Sequence, residues 1–494
     1  MAITSRATTS GVRPEQGWAL GLASAASFMV VLDLLVVATA LSTIRRDLGA
    51  SLGQLEWTIS AYTLSFAVLL LTAAALGDRF GRRRLFAAGL GLFAAASAAC
   101  ALAPGIGWLI AARAVQGAGA AMIMPLGLAL LNAAFPPQRR GWAMGIFGGV
   151  TGLAATVGPV VGGAVTQGIS WPWIFWLNVP VALLAIPCVL TRLTESRGPR
   201  AALDLPGLAL STVAAVGLVW GLVRGNEAGW ASPQVAGPLA AGAVLTALFV
   251  ARERRAGAPL LPLRLFGSRG FSAGNAAIFL QSASLTGAIF FMAQFQQVTL
   301  GQGPLDAGLR LLPWGVTPLL LGPVSGTLAD RIGGRPLIVT GLALQTAGLA
   351  WIAALARPAL SYWALVAPMV MVGAGVALAL PALTKSVVGS VVPGDIGKAS
   401  GAFSTMRQLG GAFGVAVPAA VFAAAGSYGS PAAFSDGFTA AIAVTAVLGL
   451  AGTAASLALP PRLAAGQAVD RGHLGVGQRE ARQVEVGGDP LRSP

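Results

Sequence analysis

From about residue 18 to residue 459, the chain alternates between long apolar runs and short polar segments. Each run is close to the roughly 20 residues that an α-helix needs to cross the hydrocarbon core of a bilayer. The pattern predicts an all-α membrane protein with 14 transmembrane helices. The expected spans are 18–44, 55–77, 84–104, 106–132, 141–166, 172–192, 204–223, 235–252, 271–298, 306–328, 335–356, 361–382, 398–425 and 436–459.

Composition supports a chain that lies mostly in lipid. Of the 494 residues, 55% are hydrophobic and only 10% are charged, whereas soluble proteins carry roughly a quarter charged residues. In lipid the backbone must satisfy its own hydrogen bonds, which leaves helices or closed barrels. The runs are too long and too uniformly apolar for barrel strands.

The formal net charge of +15 comes from residues that fall mainly in the loops. We therefore interpret the charge as a signal of membrane orientation and expect no nucleic-acid partner. Most of the 32 lysines and arginines fall on one side of the predicted spans. The positive-inside rule then places both termini in the cytoplasm. Dense use of alanine, glycine and arginine suggests a bacterial source, and hence an inner or plasma membrane.

A basic segment at 76–84 has a near copy at 326–335. Asp78 and Asp330 hold the same place in the two copies and are 252 residues apart, about half of the chain. Segments 117–125 and 373–381 also match. Helices 1–6 therefore correspond to helices 9–14, and helices 7 and 8 are an insert. Two parallel six-helix repeats around a central cavity are a transporter architecture.

The predicted organisation follows from this repeat. It comprises a cytoplasmic N-terminus (1–17), an N-terminal six-helix bundle (18–192), the inserted helices 7 and 8 (193–252), a cytoplasmic linker (253–270), a C-terminal six-helix bundle (271–459) and a disordered cytoplasmic tail (460–494). The tail is predicted to be disordered because it is polar and charged.

Little in the chain favours an enzyme. Cys100 and Cys188 lie inside apolar runs, and His473, the only histidine, lies in the polar tail. No catalytic set, metal-ligand cluster or phosphate-binding loop is visible in the predicted helices, so we expect neither a metal nor another cofactor. A membrane enzyme or a sensor stays an alternative, which a measurement of substrate flux would separate from a transporter.

Several motifs occur together in this chain. They are 76–83 with its second copy at 328–335, Asp33 after Leu32 in the first helix, Arg113, Gln116, Gly117 and Gly119 in the fourth, Gly158, Pro159, Gly162 and Gly163 in the fifth, and 170–180 at the start of the sixth. In this combination the chain resembles the major facilitator superfamily, in its fourteen-helix drug:proton antiporter branch. The resemblance covers residues 17–460.

The resemblance implies export of a small organic compound, a drug or an antibiotic, driven by the proton gradient without a cofactor. The partners would be that small molecule, protons and the lipid bilayer. A proton-linked importer or a facilitator is the alternative. The fifth-helix motif, which the resemblance associates with exporters, weighs against it.

Asp33 is the acid that the pattern places in the middle of a helix. A charge at the bilayer centre costs about 2.5–3.5 kcal/mol on insertion scales, so such an acid indicates a function by default. We expect Asp33 to carry the proton. The alternative is an aspartate that only bonds a neighbouring helix.

Arg113 and Gln116 match the proton-transfer motif of the family. Arginine does not lose its proton in a protein, so Arg113 would be a fixed charge that holds Asp33 ionised until substrate or a proton competes. Alternatively, Arg113 extends to the membrane surface. Leu285 and Met369 stand at the equivalent positions of the second half, which indicates that coupling is confined to the first.

The two basic segments resemble the gating motif of the family. Its residues here are Gly77, Asp78, Arg79, Gly81 and Arg82 in the first copy, and Asp330, Arg331, Gly333 and Arg335 in the second. Each aspartate could accept from the N-terminus of the following helix, where the dipole favours an anion, or pair with an arginine across the repeat. Either contact would suit a latch that closes one face. The positive-inside rule alone would explain the arginines.

Two further sets of residues are candidates. Gly145, Gly158, Pro159, Gly162 and Gly163 form the antiporter motif of the fifth helix. Glycines spaced by four permit close helix contact and proline bends the helix, although generic packing would explain both. In the ninth helix, Gln281, Gln294 and Gln297 could line a substrate cavity or join helices, and both readings stay open.

Overall fold

The computed structural model describes residues 13–197, 204–257, 259, 261–391 and 395–460. This part of the chain is almost entirely helical and contains no strand. The helices are α1 (Pro14–Leu48), α2 (Leu52–Phe80), α3 (Arg82–Ala101), α4 (Ile106–Ala134), α5 (Pro137–Gly168), α6 (Trp173–Trp176), α7 (Asn178–Arg192), α8 (Leu205–Ala228), α9 (Pro233–Glu253), α10 (Arg269–Gln294), α11 (Pro304–Arg310), α12 (Leu312–Ile332), α13 (Gly334–Leu355), α14 (Tyr362–Val388), α15 (Ile396–Ala425) and α16 (Pro431–Leu457). A 3-10 turn, Leu263–Gly267, precedes α10, and a π-helical turn, Phe295–Thr299, follows it.

Each predicted span falls on one helix or on two consecutive helices, with the sixth on α6 and α7 and the tenth on α11 and α12. Among the described residues, 12 helices are long and apolar enough to cross a membrane. Helix α2 would be a thirteenth if its two parts, which meet at 49°, form one span. The predicted all-helical membrane fold is confirmed in this form, and the count of fourteen crossings stays a prediction. Of the predicted cytoplasmic segments, 1–12 and 461–494 lie outside the described residues.

Polar residues at the helix ends set the boundaries that the apolar runs alone do not give. The Ser51 side chain accepts from the Gln54 backbone N–H at 3.3 Å, and the Gln54 side chain accepts from the Ser51 N–H at 2.9 Å. This capping box starts α2 three residues before the predicted span. Gly49, with a φ of 61°, ends α1 in the left-handed region. A turn of three residues therefore joins the first two helices.

The sequence repeat is also a repeat of helix neighbours. In the first half α1 packs on α5, α3 and α2 both pack on α4, and α3 packs on α7. In the second half α10 packs on α15, α13 and α12 both pack on α14, and α13 packs on α16. Gly117 of α4 lies against Tyr62 of α2, and its counterpart Gly373 of α14 lies against Trp314 of α12. The two halves are therefore built on one packing plan.

The halves meet along two seams, α2 with α15 and α5 with α11 and α12. At the end where α1 finishes, one apolar core joins both halves and includes Leu41 of α1, Phe291 of α10 and Phe422 of α15. At the end that carries the basic loop 81–84, the described residues form separate cores, one in each half. We call these the closed end and the arginine-rich end. The halves are joined at the first and apart at the second.

Helices α8 and α9 form a hairpin outside the two halves. Helix α8 packs on α2 and α15, across one seam, and the rings of Trp57 and Trp220 lie 5.7 Å apart. An ion pair of 2.6 Å between Asp204 and Arg252 ties the start of α8 to the end of α9. Although burial acts in the opposite direction, hydrogen bonds from Arg252 and from the Gly207 N–H hold the pKa of Asp204 below its usual value.

Candidate functional site

A fully buried ion pair joins α1 and α4 inside the amino-terminal half. Asp33 and Arg113 are each 0% exposed, and Arg113 Nη1 lies 2.5 Å from Asp33 Oδ2. Two residues that the sequence singled out separately, 80 positions apart, are therefore in direct contact. Because arginine keeps its proton, Arg113 is a fixed positive charge, and it offsets the charge of the Asp33 carboxylate.

Two amides complete the surroundings of Asp33. Gln116 Nε2 of α4 and Asn178 Nδ2 of α7 each donate to Asp33 Oδ1 at 2.8 Å. The same two nitrogens donate to Ser97 Oγ of α3, at 2.7 and 3.3 Å. Four helices thus contribute to one network around a single carboxylate. Such donors compensate part of the cost of removing the carboxylate from water.

Arg113 makes further contacts of its own. Its Nε donates to the Thr58 carbonyl at 3.0 Å, its Nη1 also donates to Gln116 Oε1 at 2.7 Å, and its guanidinium carbon lies 4.2 Å from the centre of the Tyr62 ring. Its Nη2 is buried and has no hydrogen-bond partner among the described residues. An unpaired buried donor costs about 1–3 kcal/mol. The arginine is therefore held with less than its full complement of hydrogen bonds.

The network is sealed from the space between the halves. Asp33, Arg113, Gln116, Ser97 and Asn178 are all at most 2% exposed. In this conformation neither solvent nor a small molecule reaches the carboxylate. The helices of the amino-terminal half must move before Asp33 can exchange a proton with water.

The first gating motif is a local ion pair within the basic loop. Asp78 Oδ1 accepts from Arg82 Nε at 2.8 Å, and the two side chains are 28% and 21% exposed. The guanidinium carbon of Arg79 lies 5.4 Å from the ring centre of Phe80. Between the paired residues, Gly81 has a φ of 113°, which favours glycine. Within the described residues, the bonds of Asp78 stay inside its own loop and do not cross the repeat.

Asp78 was expected to accept from the backbone N–H groups at the start of the next helix, but in the structure Glu195 accepts from them instead. The Glu195 carboxylate comes from the segment after α7 and accepts from the backbone N–H groups of Arg83 at 2.9 Å and of Arg84 at 3.4 Å. Its charge suits the positive end of the α3 dipole. The sequence reasoning chose Asp78 because it is adjacent in the chain, whereas Glu195 is about 112 positions away.

The second gating motif repeats the backbone geometry of the first. Gly333 has a φ of 89° and precedes α13, as Gly81 precedes α3. Arg331 is exposed and Arg335 is half-buried. The Asp330 side chain lies outside what the structure describes, so its predicted pairing stays a prediction. Gly77 of the first copy packs against Leu126 of α4, where a Cβ would collide.

Glycines of α5 press this helix onto two different helices. Added Cβ atoms on Gly158 and Gly162 would lie 2.8 and 2.5 Å from the nearest atoms of α1. Gly163 and the carbonyl of Pro159 instead meet the backbone of α11, in the other half. Gly145 has no atom within 4 Å of an added Cβ. The glycines of the predicted motif at the closed end therefore pack closely on other helices, whereas Gly145, nearer the arginine-rich end, has no close neighbour.

The three candidate glutamines of α10 and its π-turn contact three different parts of the structure. Gln281 Nε2 lies 3.5 Å from a glutamine of α13, within the second half. Gln294 accepts a short hydrogen bond from the Tyr428 hydroxyl. Gln297 donates to the Thr39 carbonyl of α1 at 3.0 Å, which links the two halves at the closed end. These contacts match the role in joining helices that the sequence left open.

Comparison with known proteins now decides the family. The sequence profile of the Major Facilitator Superfamily matches residues 23–414 and, in an overlapping second match, residues 275–482. The chain belongs to the Major Facilitator Superfamily. The resemblance that the motifs indicated is thereby confirmed, and this multi-pass membrane protein is a transporter of small molecules and not an enzyme.

Two relatives of this superfamily member are named as antibiotic export proteins. It is 36% identical over 415 residues to the tetracenomycin C resistance and export protein of Streptomyces glaucescens, which covers 83% of this chain and 76% of that one. It is 37% identical over 457 residues to a cephamycin export protein of Amycolatopsis lactamdurans, which covers 91% of each chain. Among solved structures, a bacterial homologue of the human lysosomal transporter Spinster superposes with a TM-score of 0.65 at 16% identity, over 91% of this chain and 98% of that one. That likeness concerns the fold.

Sequence reasoning missed part of the site of this Major Facilitator Superfamily transporter. Asn178 lies in the segment 170–180 that supported the family resemblance, so a polar residue at the start of an apolar helix was the available signal. Ser97 gave no such signal, since a single serine in an apolar run is ordinary. Only the packing of α3 and α7 on α4 and α1 brings both to Asp33.

Proposed function

We propose that this transporter exports a small organic compound, a drug or an antibiotic, in exchange for protons and thereby confers resistance. The observation that carries the proposal is the buried Asp33–Arg113 pair, which is confined to the amino-terminal half. An ionisable pair inside a membrane protein is expensive and indicates a role in moving ions or protons. The names of the relatives, which are antibiotic export and resistance proteins, support the direction of transport.

In this mechanism Asp33 is the proton carrier and Arg113 is its fixed counter-charge. A proton on Asp33 removes the carboxylate charge, so the ion pair with Arg113 weakens and the donors Gln116 and Asn178 lose an anionic acceptor. Because four helices share this network, a change at the carboxylate alters the packing of α1 against α3, α4 and α7. A group of helices with two discrete packing arrangements can couple the protonation of Asp33 to a distant site.

The orientation is also part of the proposal. The arginine-rich end faces the cytoplasm, as the positive-inside rule requires, and both termini lie there. The structure then corresponds to a state open to the cytoplasm, closed outside by α5 on α11 and by a bond from Gln297 to α1. Fourteen spans form two rocking halves, helices 1–6 and 9–14, and α8 with α9 is the insert.

The proposal is tested by efflux from cells that express the wild type or Asp33→Asn, over a panel of antibiotics and dyes, with and without a protonophore. We expect the wild type to export at least one compound, the protonophore to stop that export and Asp33→Asn to abolish it. The matched control is Asp436→Asn, because Asp436 is an exposed carboxylate on α16. Export that survives both the protonophore and Asp33→Asn would contradict proton coupling. Uptake of the same compounds would favour an importer.

A further inference from the structure

A cavity of about 800 Å³ lies at the arginine-rich end of the carboxy-terminal half. Its walls come from the start of α10, the start of α13, the end of α16 and the segment that follows α16. Two arginines line it, Arg269 of α10 and Arg335 of α13. The eight other lining residues carry no charge, and apart from Ser272 they are alanines, leucines and a proline. The cavity therefore combines positive charge with an apolar wall.

Neither of these two arginines has a counter-charge among the described residues. Arg269 is exposed and Arg335 is half-buried, and neither forms an ion pair, a hydrogen bond or a ring contact with a described residue. Another arginine at this end is paired, since Arg264 lies 2.8 Å from Asp395. A cleft that is lined by charge of one sign concentrates ions of the opposite sign. The cavity should therefore attract an anion.

The internal repeat shows what an anion does at the corresponding place in the first half. Arg335 lies 252 residues after Arg83, which is the offset between the two gating motifs. Glu195 accepts from the backbone N–H of Arg83 at 2.9 Å, and its carboxylate lies 3.8 Å from the Arg83 Nε. A carboxylate thus holds the start of α3 and offsets the arginine there.

The second half has no acid at the position that matches Glu195. Glu195 is three residues beyond the end of α7, and Pro460 is three residues beyond the end of α16, which packs on α13 as α7 packs on α3. Pro460 lines the cavity and carries no charge. Gly333, the N-cap of α13, makes no side-chain capping bond. The place that a carboxylate takes in one half is therefore a cavity with two arginines in the other.

The cavity faces lipid, away from the space between the halves. Helices α13 and α16 pack on helices of their own half, away from both seams. Ala276 of α10 and Leu457 of α16 line the cavity and are exposed. Arg269 and Arg335 are the first and second residues of their helices, so they lie at the level of the lipid headgroups. Basic pockets of this kind between membrane helices bind anionic headgroups.

We propose that this cavity binds an anionic phospholipid, whose phosphate is held by Arg269 and Arg335 and whose acyl chains lie along α10 and α16. The guanidinium fork matches the geometry of a phosphate. The bound phosphate holds the start of α13, and with it the second gating motif, as Glu195 holds the start of α3. The inference goes beyond the proposed export function and does not depend on it, because lipid binding needs neither a transported compound nor a gradient.

The experiment measures binding of dioleoyl phosphatidylglycerol and dioleoyl phosphatidylcholine to the purified full-length protein by native mass spectrometry. The two lipids have the same chains, and only the first carries a net negative charge. We expect the first phosphatidylglycerol to bind about tenfold more tightly than the first phosphatidylcholine. Arg269→Gln with Arg335→Gln should remove this preference and leave phosphatidylcholine binding unchanged, while Arg335→Lys should retain most of it.

The matched control is Arg254→Gln with Arg255→Gln. These two arginines are exposed and do not line the cavity, so the control removes the same charge from the protein without touching the site. It should keep the preference of the wild type for phosphatidylglycerol. Because both double variants lose two positive charges, a difference between them separates a specific site from general attraction to a basic surface.

Each of the following outcomes would overturn the inference. Equal affinity of the wild type for both lipids, a preference that survives in Arg269→Gln with Arg335→Gln, or an equal loss in the control would exclude a site at this cavity. Displacement of phosphatidylglycerol by millimolar inorganic phosphate would assign the cavity to the free ion. A preference that appears only after the four acids beyond residue 460 are changed to amides would assign it to the tail of this chain; they are Asp470, Glu480, Glu485 and Asp489.

Discussion

Removal of Arg113 should cost more stability than removal of both members of its ion pair. In Arg113→Gln the Asp33 carboxylate, which is 0% exposed, loses the one charged donor that it has among the described residues. It keeps the amide donors Gln116 and Asn178, each at 2.8 Å. In the double variant Asp33→Asn with Arg113→Gln, neither of the two positions carries a charge.

The magnitude follows from the burial of both groups. Loss of one partner from a buried pair costs about 3–5 kcal/mol, because the other charge is left without compensation. Because two amides still donate to Asp33, we expect Arg113→Gln to lower the free energy of unfolding by about 3 kcal/mol, the lower end of this range. The double variant should recover most of this loss, so the coupling energy between the positions should be about 2–3 kcal/mol. Arg82→Gln breaks the partly exposed pair with Asp78 and is the matched control, with a cost of about 1 kcal/mol or less.

The assay is thermal unfolding of the four proteins of the cycle, purified in one detergent, with Arg82→Gln measured beside them. Simple addition of the two single effects in the double variant would refute a direct interaction between Asp33 and Arg113.

Three further predictions concern other contacts. Gly163→Ala should slow transport, because an added Cβ would displace the backbone of α11. In a background with Gln167→Cys, it should also increase labelling of the introduced cysteine. Gly145→Ala, whose added Cβ would have no atom within 4 Å, should match the wild type in both measurements. Asn178→Ala should lower proton-driven transport about tenfold, measured as initial rates, because Asp33 loses one of its donors; unchanged rates would remove Asn178 from the network. Glu195→Ala should increase amide hydrogen exchange at the start of α3, with a loss of about 1 kcal/mol, and Glu195→Gln should have a smaller effect; no change in exchange would contradict that capping role.

The fold was accessible from the sequence because helix length and repeat are local signals. Apolar runs of about 20 residues define each helix, and Asp78 with its counterpart Asp330 fixed the offset between the halves. The tight turn at Gly49 and Ser51 was not predicted, since capping residues are polar and fall outside the apolar runs. Which end of the molecule is closed was also beyond the sequence, because both ends are built from the same helices.

The candidate site was accessible only in part. Asp33 and Arg113 were recognised because a charge in lipid is costly whatever its neighbours are. Ser97 and Glu195 act through contacts that span 19 and 112 positions, which no local pattern records. The sequence left a cavity role and a helix-joining role open for the glutamines at 294 and 297, and their hydrogen bonds to Tyr428 and Thr39 at the closed end span distances along the chain that no local pattern records.

In the proposed mechanism, Asp33 couples the movement of the compound to that of protons. The most direct test is transport by the purified protein in liposomes, where a pH gradient can be imposed or left out. The compound found in the efflux panel is offered either with a pH gradient or as exchange at equal pH. We expect the wild type to accumulate it only with the gradient, and Asp33→Asn to exchange it at equal pH without accumulation. Accumulation by Asp33→Asn under the gradient would contradict the claim.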